Sequence, residues 1–274
     1  MTRQTKNDID PVSHTFNQDK FYDKEISMQQ TIQLNFIHRL LALALALGLM
    51  SGCASVHEMS PKKESQALEL KDKALILMSL QLKHDYKPSF QPDVNVVRLV
   101  SSDQETKDEG HNFKIDEDSI LRQGDDLTYL LRMQLDPGKY VIRDAFAMYM
   151  GFPITASCSL PIHEDLEVKA NSVTYVGRVR GVTRKREEGE FRSGSVIPLL
   201  DQGVSGFAHS TFDVEVSDQQ DEDIKAFRSN FPALKSADIQ VDILPPFDRQ
   251  RAQNWWDHGS YEDKVAATQG PSDN

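Results

Sequence analysis

Apolar and polar residues alternate along much of the chain between positions 74 and 216, a period of two that is typical of β-strands with one buried face. In the clearest stretch, 127–135, five apolar side chains share one face and Leu130 alone breaks the pattern. Further strands are predicted at 78–82, 94–100, 140–149, 160–168, 173–182, 207–216 and 239–244.

A turn is predicted between two of these strands, where the sequence reads Asp136-Pro137-Gly138-Lys139. Pro presets φ for the first central position of a turn, and Gly accepts a positive φ at the second. The strands on either side of this turn are therefore predicted to form a hairpin.

One helix is predicted in the second half of the chain. Ile224, Phe227 and Phe231 recur at helical spacing, and the acidic residues of 218–223 complement the positive end of the helix dipole. Pro232 is expected to end the helix.

These elements predict an all-β domain, specifically an antiparallel β-sandwich of Ig-like type with one short helix in its C-terminal half. The domain is predicted to span residues 73–245, which is an acceptable size for one all-β unit. Residues 246–274 are mostly polar and are predicted to form a loose tail. Trp255 and Trp256 in this tail are a candidate surface contact, either docked on the domain or exposed as a platform for a sugar.

The N-terminal region has the features of a targeting segment. An unbroken apolar run, 40–50, follows His38 and Arg39, and its eleven residues fall short of the roughly 20 that a membrane-spanning helix requires. The run continues into Leu49-Met50-Ser51-Gly52-Cys53, which resembles the lipobox of bacterial lipoproteins, with Met50 in place of the usual Leu. The alternative is a buried helix with an incidental cysteine.

This resemblance implies that Cys53 becomes the lipidated first residue of the mature protein. Residues 28–52 are then the signal peptide, 1–27 an over-extended start, and 53–72 a polar tether. In lipoproteins of this kind an Asp after the cysteine retains the protein in the inner membrane, and here that position is Ala54. The resemblance therefore implies a palmitate-bearing lipoprotein of the outer membrane that faces the periplasm.

Charge and cysteine content exclude several classes of protein. The 31 basic and 42 acidic residues give a formal net charge of −11, which argues against nucleic acid as a partner. Two cysteines are too few for a disulfide scaffold or a cysteine-rich zinc module. Once Cys53 is acylated, Cys158 is the remaining thiol, and we expect it to be buried rather than reactive or bridged to another chain.

No catalytic residue, metal ligand or cofactor is predicted. The sequence around Ser205 is one residue short of a nucleophile elbow, and the acidic run at 218–223 lacks the glycine of an EF-hand loop. His163, Glu164 and Asp165 are the nearest approach to a ligand cluster, but consecutive strand residues point to opposite faces and converge only across a bulge.

A local positive patch is the second candidate surface contact. Five basic residues fall between 178 and 186, and Arg184, Lys185 and Arg186 are consecutive. Such a run is typical of a solvated hairpin tip, and the alternative is a contact with anionic lipid headgroups or an acidic polymer.

Several short stretches of the domain resemble a broad class of uncharacterised bacterial lipoproteins with a β-sandwich domain. The resemblance lies in residues 135–140, 166–168, 173–177 and 231–234. It implies an extracytoplasmic, largely non-enzymatic domain. The leading hypothesis is therefore a lipid-anchored envelope protein with a structural role or with another envelope protein as its partner. The alternatives are a binding module for a cell-wall saccharide or small ligand and, more remotely, a periplasmic hydrolase.

Overall fold

The computed structural model describes residues 55–102, 110–123, 126–195 and 202–259. Cys53 lies outside these ranges. Within them the chain is mostly β, which confirms the coarse fold prediction. The strands are β1 Ser55–Glu58, β2 Ala74–Lys83, β3 Asp93–Ser101, β4 Gly110–Lys114, β5 Ile120–Gln123, β6 Asp126–Leu135, β7 Gly138–Gly151, β8 Ile154–Val168, β9 Val173–Lys185, β10 Ser210–Ser217 and β11 Ile239–Val241. The α-helices of the described ranges are α1 Gln202–Ser205, α2 Gln220–Asn230 and α3 Arg249–His258.

The strands form two sheets of mixed direction. The five-stranded sheet has the order β1-β4-β3-β7-β8, and the six-stranded sheet has the order β10-β9-β2-β6-β5 with β11 also paired to β9. The pairs β1–β4, β2–β9 and β11–β9 are parallel, so the purely antiparallel Ig-like sandwich is not confirmed. Alternation along a strand identifies its buried face but carries no information about the direction of its neighbours.

One hydrophobic cluster joins the inner faces of both sheets. Tyr129, Leu131 and Met133 of β6 belong to it, as the alternation predicts, together with Leu99 of β3 and Ile142 of β7. The core thus fixes which residues of the five-stranded sheet point outward.

The predicted hairpin is wrong, although β6 and β7 are consecutive and only two residues separate them. β6 pairs with β2 and β5 in the six-stranded sheet, whereas β7 pairs with β3 and β8 in the five-stranded sheet. The turn therefore carries the chain from one sheet to the other, because turn residues predict a reversal but not which strands pair.

The predicted helix is confirmed as α2, which covers the outer face of the six-stranded sheet. Phe227 and Phe231 are fully buried and belong to a second cluster with Leu75, Leu77 and Tyr175 of that sheet. Because α2 buries this second face, β2 is buried on both sides, which explains its nearly continuous apolar sequence.

The predicted tether is largely part of the fold. β1 pairs with β4, Met59 is fully buried, and the carbonyl of Pro61 accepts a hydrogen bond from Arg132 Nε at 2.9 Å. β1 has only four residues, too few for a periodic pattern to reveal it in the sequence.

The predicted loose tail is also wrong for residues 249–258, which form α3. Ala252 of α3 is buried, and Arg251 binds Asp165 of β8 through two contacts of 3.0 and 2.9 Å. The helix is mostly polar because a single narrow face docks. Across the four described ranges, no helix combines the length and apolar character needed to cross a membrane.

Candidate ligand-binding site

A pocket of about 260 Å³ lies on the outer face of the five-stranded sheet. Its floor comes from β3, β7 and β8, one wall is the 191–195 segment, and the other wall is α3. The 191–195 segment is held by backbone hydrogen bonds to both sheets, since Ser193 O accepts from Ser159 N and Ser193 N donates to Ser210 O, each at 2.8 Å. The pocket therefore has rigid surroundings on the floor and one wall.

An ion pair occupies the centre of the pocket floor. Arg98 Nε and Nη2 donate to the two carboxylate oxygens of Asp144 at 2.6 and 2.8 Å, and Nη2 also donates to Ser159 Oγ at 3.1 Å. The guanidinium lies 5.4 Å from the centroid of the Phe146 ring. The Asp144 side chain is 4% exposed and that of Arg98 is 28% exposed, so the arginine is the part of the pair that a ligand can reach.

Two irregularities in strand pairing flank this ion pair. Between β3 and β7 the register shifts at Arg143, and between β7 and β8 it shifts so that Ile142 faces Glu164 but Asp144 faces Pro161. The extra residue on β8 puts His163 at a φ of 55°, in the left-handed region. Bulges of this kind re-aim side chains, and here they place His163 in the pocket lining.

The bulge is the feature that the sequence prediction required for His163, Glu164 and Asp165 to converge, but it does not bring them together as a metal site. The His163 ring lies 5.1 Å from Trp255, whereas Asp165 binds Arg251. Burial, with Arg251 and Arg143 nearby, lowers the pKa of His163 to about 3. Burial raises the pKa of Glu164 to about 7. No group of metal-binding side chains is present within the described residues.

Two adjacent tryptophans of α3 form the aromatic wall. Trp255 packs toward the sheet, where Arg143 lies 5.8 Å from the centroid of its ring, and Trp256 is 38% exposed. Both line the pocket. The helix that presents them is capped at both ends. The Asp248 side chain, just before the helix, accepts a hydrogen bond from Arg251 N at 3.0 Å, and Gly259, just after it, has a φ of 68°.

The predicted positive patch serves in part to hold this helix. Arg184 binds Glu190 at 2.5 Å and Asp213 at 3.0 Å, and Arg249 of α3 binds the same two carboxylates at 3.3 and 2.9 Å. We call these four residues the α3 clamp. The hydrogen bond from Arg184 lowers the pKa of Glu190 to about 2.

The other two residues of the consecutive run Arg184–Arg186 differ, one being bound and the other exposed. Arg186 Nε donates to Glu190 O at 2.5 Å, whereas Lys185 is exposed. Sequence reasoning treated the basic run and the tryptophan pair as separate surface features. The structure connects them through the α3 clamp, which pairs Arg184 with acidic residues that come later in the chain.

Four aromatic side chains line the pocket. Trp255 and Trp256 were candidates from the sequence, and Phe146 and Phe191 join them. Two other aromatic residues of this sheet lie outside the pocket, since Tyr149 packs against Phe90 at 5.2 Å and Phe152 is fully exposed at the β7–β8 turn. Cys158, also in the lining, is a free and buried thiol, and burial raises its pKa well above the ordinary range.

The groups in the pocket suit binding. The structure brings His163 and Asp144 into one lining, but the Asp144 carboxylate is engaged by Arg98 and the Ser159 hydroxyl accepts from the same guanidinium. Comparisons with family models, curated proteins and solved structures found no match. The geometry of the pocket is therefore the basis of the functional proposal.

Proposed function

We propose that the protein is a non-catalytic, lipid-anchored binding protein of the cell envelope whose pocket takes a saccharide or similar small ligand. The observation that carries the proposal is a concave site with a partly exposed tryptophan on its wall and a hydrogen-bonding arginine on its floor. Ligand sites generally combine an aromatic or apolar lining with a few placed polar groups. A sugar ring offers both an apolar face for Trp256 and hydroxyl groups for Arg98.

Intrinsic fluorescence tests this proposal directly, because Trp255 and Trp256 are the two tryptophans of the chain and both line the pocket. Titration with short neutral oligosaccharides is expected to change the emission in a saturable way. Trp256→Ala should weaken binding about tenfold or more, which is about 1.4 kcal/mol, and Trp256→Phe should weaken it less.

Phe152→Ala is the matched control, because Phe152 is an exposed aromatic side chain outside the pocket. Equal weakening by Trp256→Ala and Phe152→Ala would exclude the pocket as the binding site. Analysis of the sugar after incubation separates binding from the hydrolase alternative, since recovery of shortened products would overturn the non-catalytic assignment.

The lipid anchor is proposed at Cys53, and the outer membrane as its location, on the apolar run and the lipobox-like residues before it. Only Ala54 separates this cysteine from β1, so a lipid at Cys53 would hold the domain close to the bilayer without a long spacer. Metabolic labelling with palmitate should be lost in Cys53→Ala and kept in Cys158→Ala. Labelling that persists in Cys53→Ala would refute the anchor.

Contact with another envelope protein is a second candidate function, favoured by the β7–β8 turn. Met150 and Phe152 are exposed apolar side chains there, and such residues are enriched at contact surfaces. A photo-crosslinking side chain at position 152 is expected to capture a protein in intact cells. The same probe at Lys185, exposed but polar, should capture none.

A further inference from the structure

A second and larger depression continues from the pocket across the same sheet. Its volume is about 610 Å³, and it shares Arg98 and Phe146 with the first pocket. Its far end reaches Val56 on β1, a side chain that is 71% exposed. The two depressions therefore meet at the centre of the outer face rather than lying on separate surfaces.

Strand register shows that the two depressions follow rows of side chains across all five strands. In one row Pro161 of β8 faces Asp144, Asp144 faces Arg98, Arg98 faces Asn112 of β4, and Asn112 faces Val56 of β1. Neighbouring strands lie about 4.8 Å apart, so the four steps of the row cover roughly 19 Å. The surface has the dimensions of a groove for a chain-like ligand.

The charges along this groove balance. In the first pocket Arg98 and Arg192 stand against Asp144, and the second depression adds Lys114 and Arg122 against three further carboxylates. Four basic groups thus accompany four acidic ones, in a protein whose formal charge is −11. A strongly anionic polymer would gain no net attraction here, so charge favours an uncharged chain.

The backbone of the floor disfavours an extended peptide. Strands β4, β3 and β7 each pair with a neighbour on both sides, so their ladder groups are already engaged. A peptide laid across them could not add to the sheet, which is the usual source of affinity for an extended peptide. A sugar chain needs only side-chain hydrogen bonds and aromatic contact, and both are available.

We infer that the binding site is a groove that runs from Trp256 to Val56 and takes an uncharged, linear glycan chain. This inference rests on the proposed function and extends it from a single small ligand to an oligomer. The sugar unit at Trp256 gives the first contact, and later units pass Arg98 and Phe146 toward β1.

A length series tests the groove separately from the pocket. Linear N-acetylglucosamine oligomers of one to six units are titrated by tryptophan fluorescence. Affinity should rise at least about tenfold between the shortest oligomer that binds and those long enough to reach β1, and then level off. Val56→Glu should abolish the gain with length while leaving the shortest ligand unaffected.

Val204→Glu is the matched control, since Val204 is 51% exposed and lies outside both depressions. If Val56→Glu disturbs β1, Lys114→Ala gives an independent test at the same end of the groove. Affinity that is flat with length would confine the site to the first pocket and overturn this inference alone. Absence of binding at every length would overturn the proposed function as well. Competition by a linear peptide of uncharged residues with equal affinity would reassign the groove to peptides.

Discussion

The outer face of each sheet carries an arginine–aspartate ion pair, but the two faces differ in the helix that covers them. On the six-stranded sheet, Asp223 of α2 accepts hydrogen bonds from Tyr175, at 2.6 Å, and from Ser79 and Arg178. Asp223 is 1% exposed and the site is closed. On the five-stranded sheet, Asp144 is paired with Arg98 in a similar way, yet the pair lies on the floor of a pocket.

The difference comes from the covering helices. The helix α2 presents Phe227 and lies beside Phe231, and both side chains fill the space above the six-stranded sheet. The helix α3 is held near β8 by Arg251 and leaves the sheet from β7 to β1 uncovered. One ion pair therefore acts within the folded core, while the other remains within reach of a ligand.

Matched phenylalanine truncations give the largest expected contrast between the faces. Phe231 is fully buried and lies 3.8 Å from the guanidinium of buried Arg132, so Phe231→Ala should lower the free energy of unfolding by about 3–5 kcal/mol. Phe146→Ala on the open face should lower it by less than about 1.5 kcal/mol, because its ring is already partly exposed. Guanidinium unfolding curves measure both changes, and equal losses would contradict the contrast.

Matched carboxylate truncations should show the next largest effect. Asp223→Ala leaves Arg178, 14% exposed, without its main partner, and we expect a loss of about 3 kcal/mol. Asp144→Ala leaves the more exposed Arg98 in contact with water, so about 1–2 kcal/mol is expected. Thermal and chemical unfolding of the two variants measure the difference. A larger loss for Asp144→Ala would mean that the open face is the more important one for folding.

The closed face was the more predictable of the two. The helical spacing of Ile224, Phe227 and Phe231 is local in sequence, and one buried helix face produces it directly. The role of Asp223 was missed, because an acidic residue at a helix start has a sufficient local explanation in the helix dipole. Nothing local shows that this residue faces Arg178 across the sheet.

The open face depends on strand register, which local patterns do not contain. Arg98 and Asp144 are 46 positions apart, and only the pairing of β3 with β7 brings them together. The bulge at His163 adds a second uncertainty, since one inserted residue reverses the direction of every later side chain. Trp255 and Trp256 were identified as candidates from their size alone, without any indication of the surface that they face.

Acidification should lower the free energy of unfolding through His163 on the open face. Its pKa of about 3 lies below the ordinary 6.5, so the folded state binds fewer protons and stability falls as the pH drops below 6.5. Between pH 7 and 5 the expected loss is about 2 kcal/mol. Glu164 acts in the opposite sense. Because its pKa is raised to about 7, it stabilises the folded state as the pH falls over the same range.

His163→Asn isolates the histidine, because asparagine tolerates the φ of 55° at this bulge. The wild type should lose about 2 kcal/mol more of its free energy of unfolding than the variant when the pH falls from 7 to 5, because only the wild type carries His163. Glu164 and buried His84 contribute equally to both proteins. Unfolding curves at the two pH values measure this difference. Parallel pH dependence in both proteins would show that His163 does not titrate as its burial requires.

Loosening α3 should have the smallest effect on stability and a clear effect on binding. The α3 clamp is partly exposed, so Arg184→Gln should cost less than about 1 kcal/mol in the free energy of unfolding. Because the clamp holds the helix that presents Trp256, ligand affinity should still fall a few-fold. Arg180→Gln is the matched control, since Arg180 is exposed on the same strand and lies outside the clamp. If both variants bind equally well, the contacts of Arg251 and Ala252 are sufficient to position the tryptophans, and the α3 clamp has no part in binding.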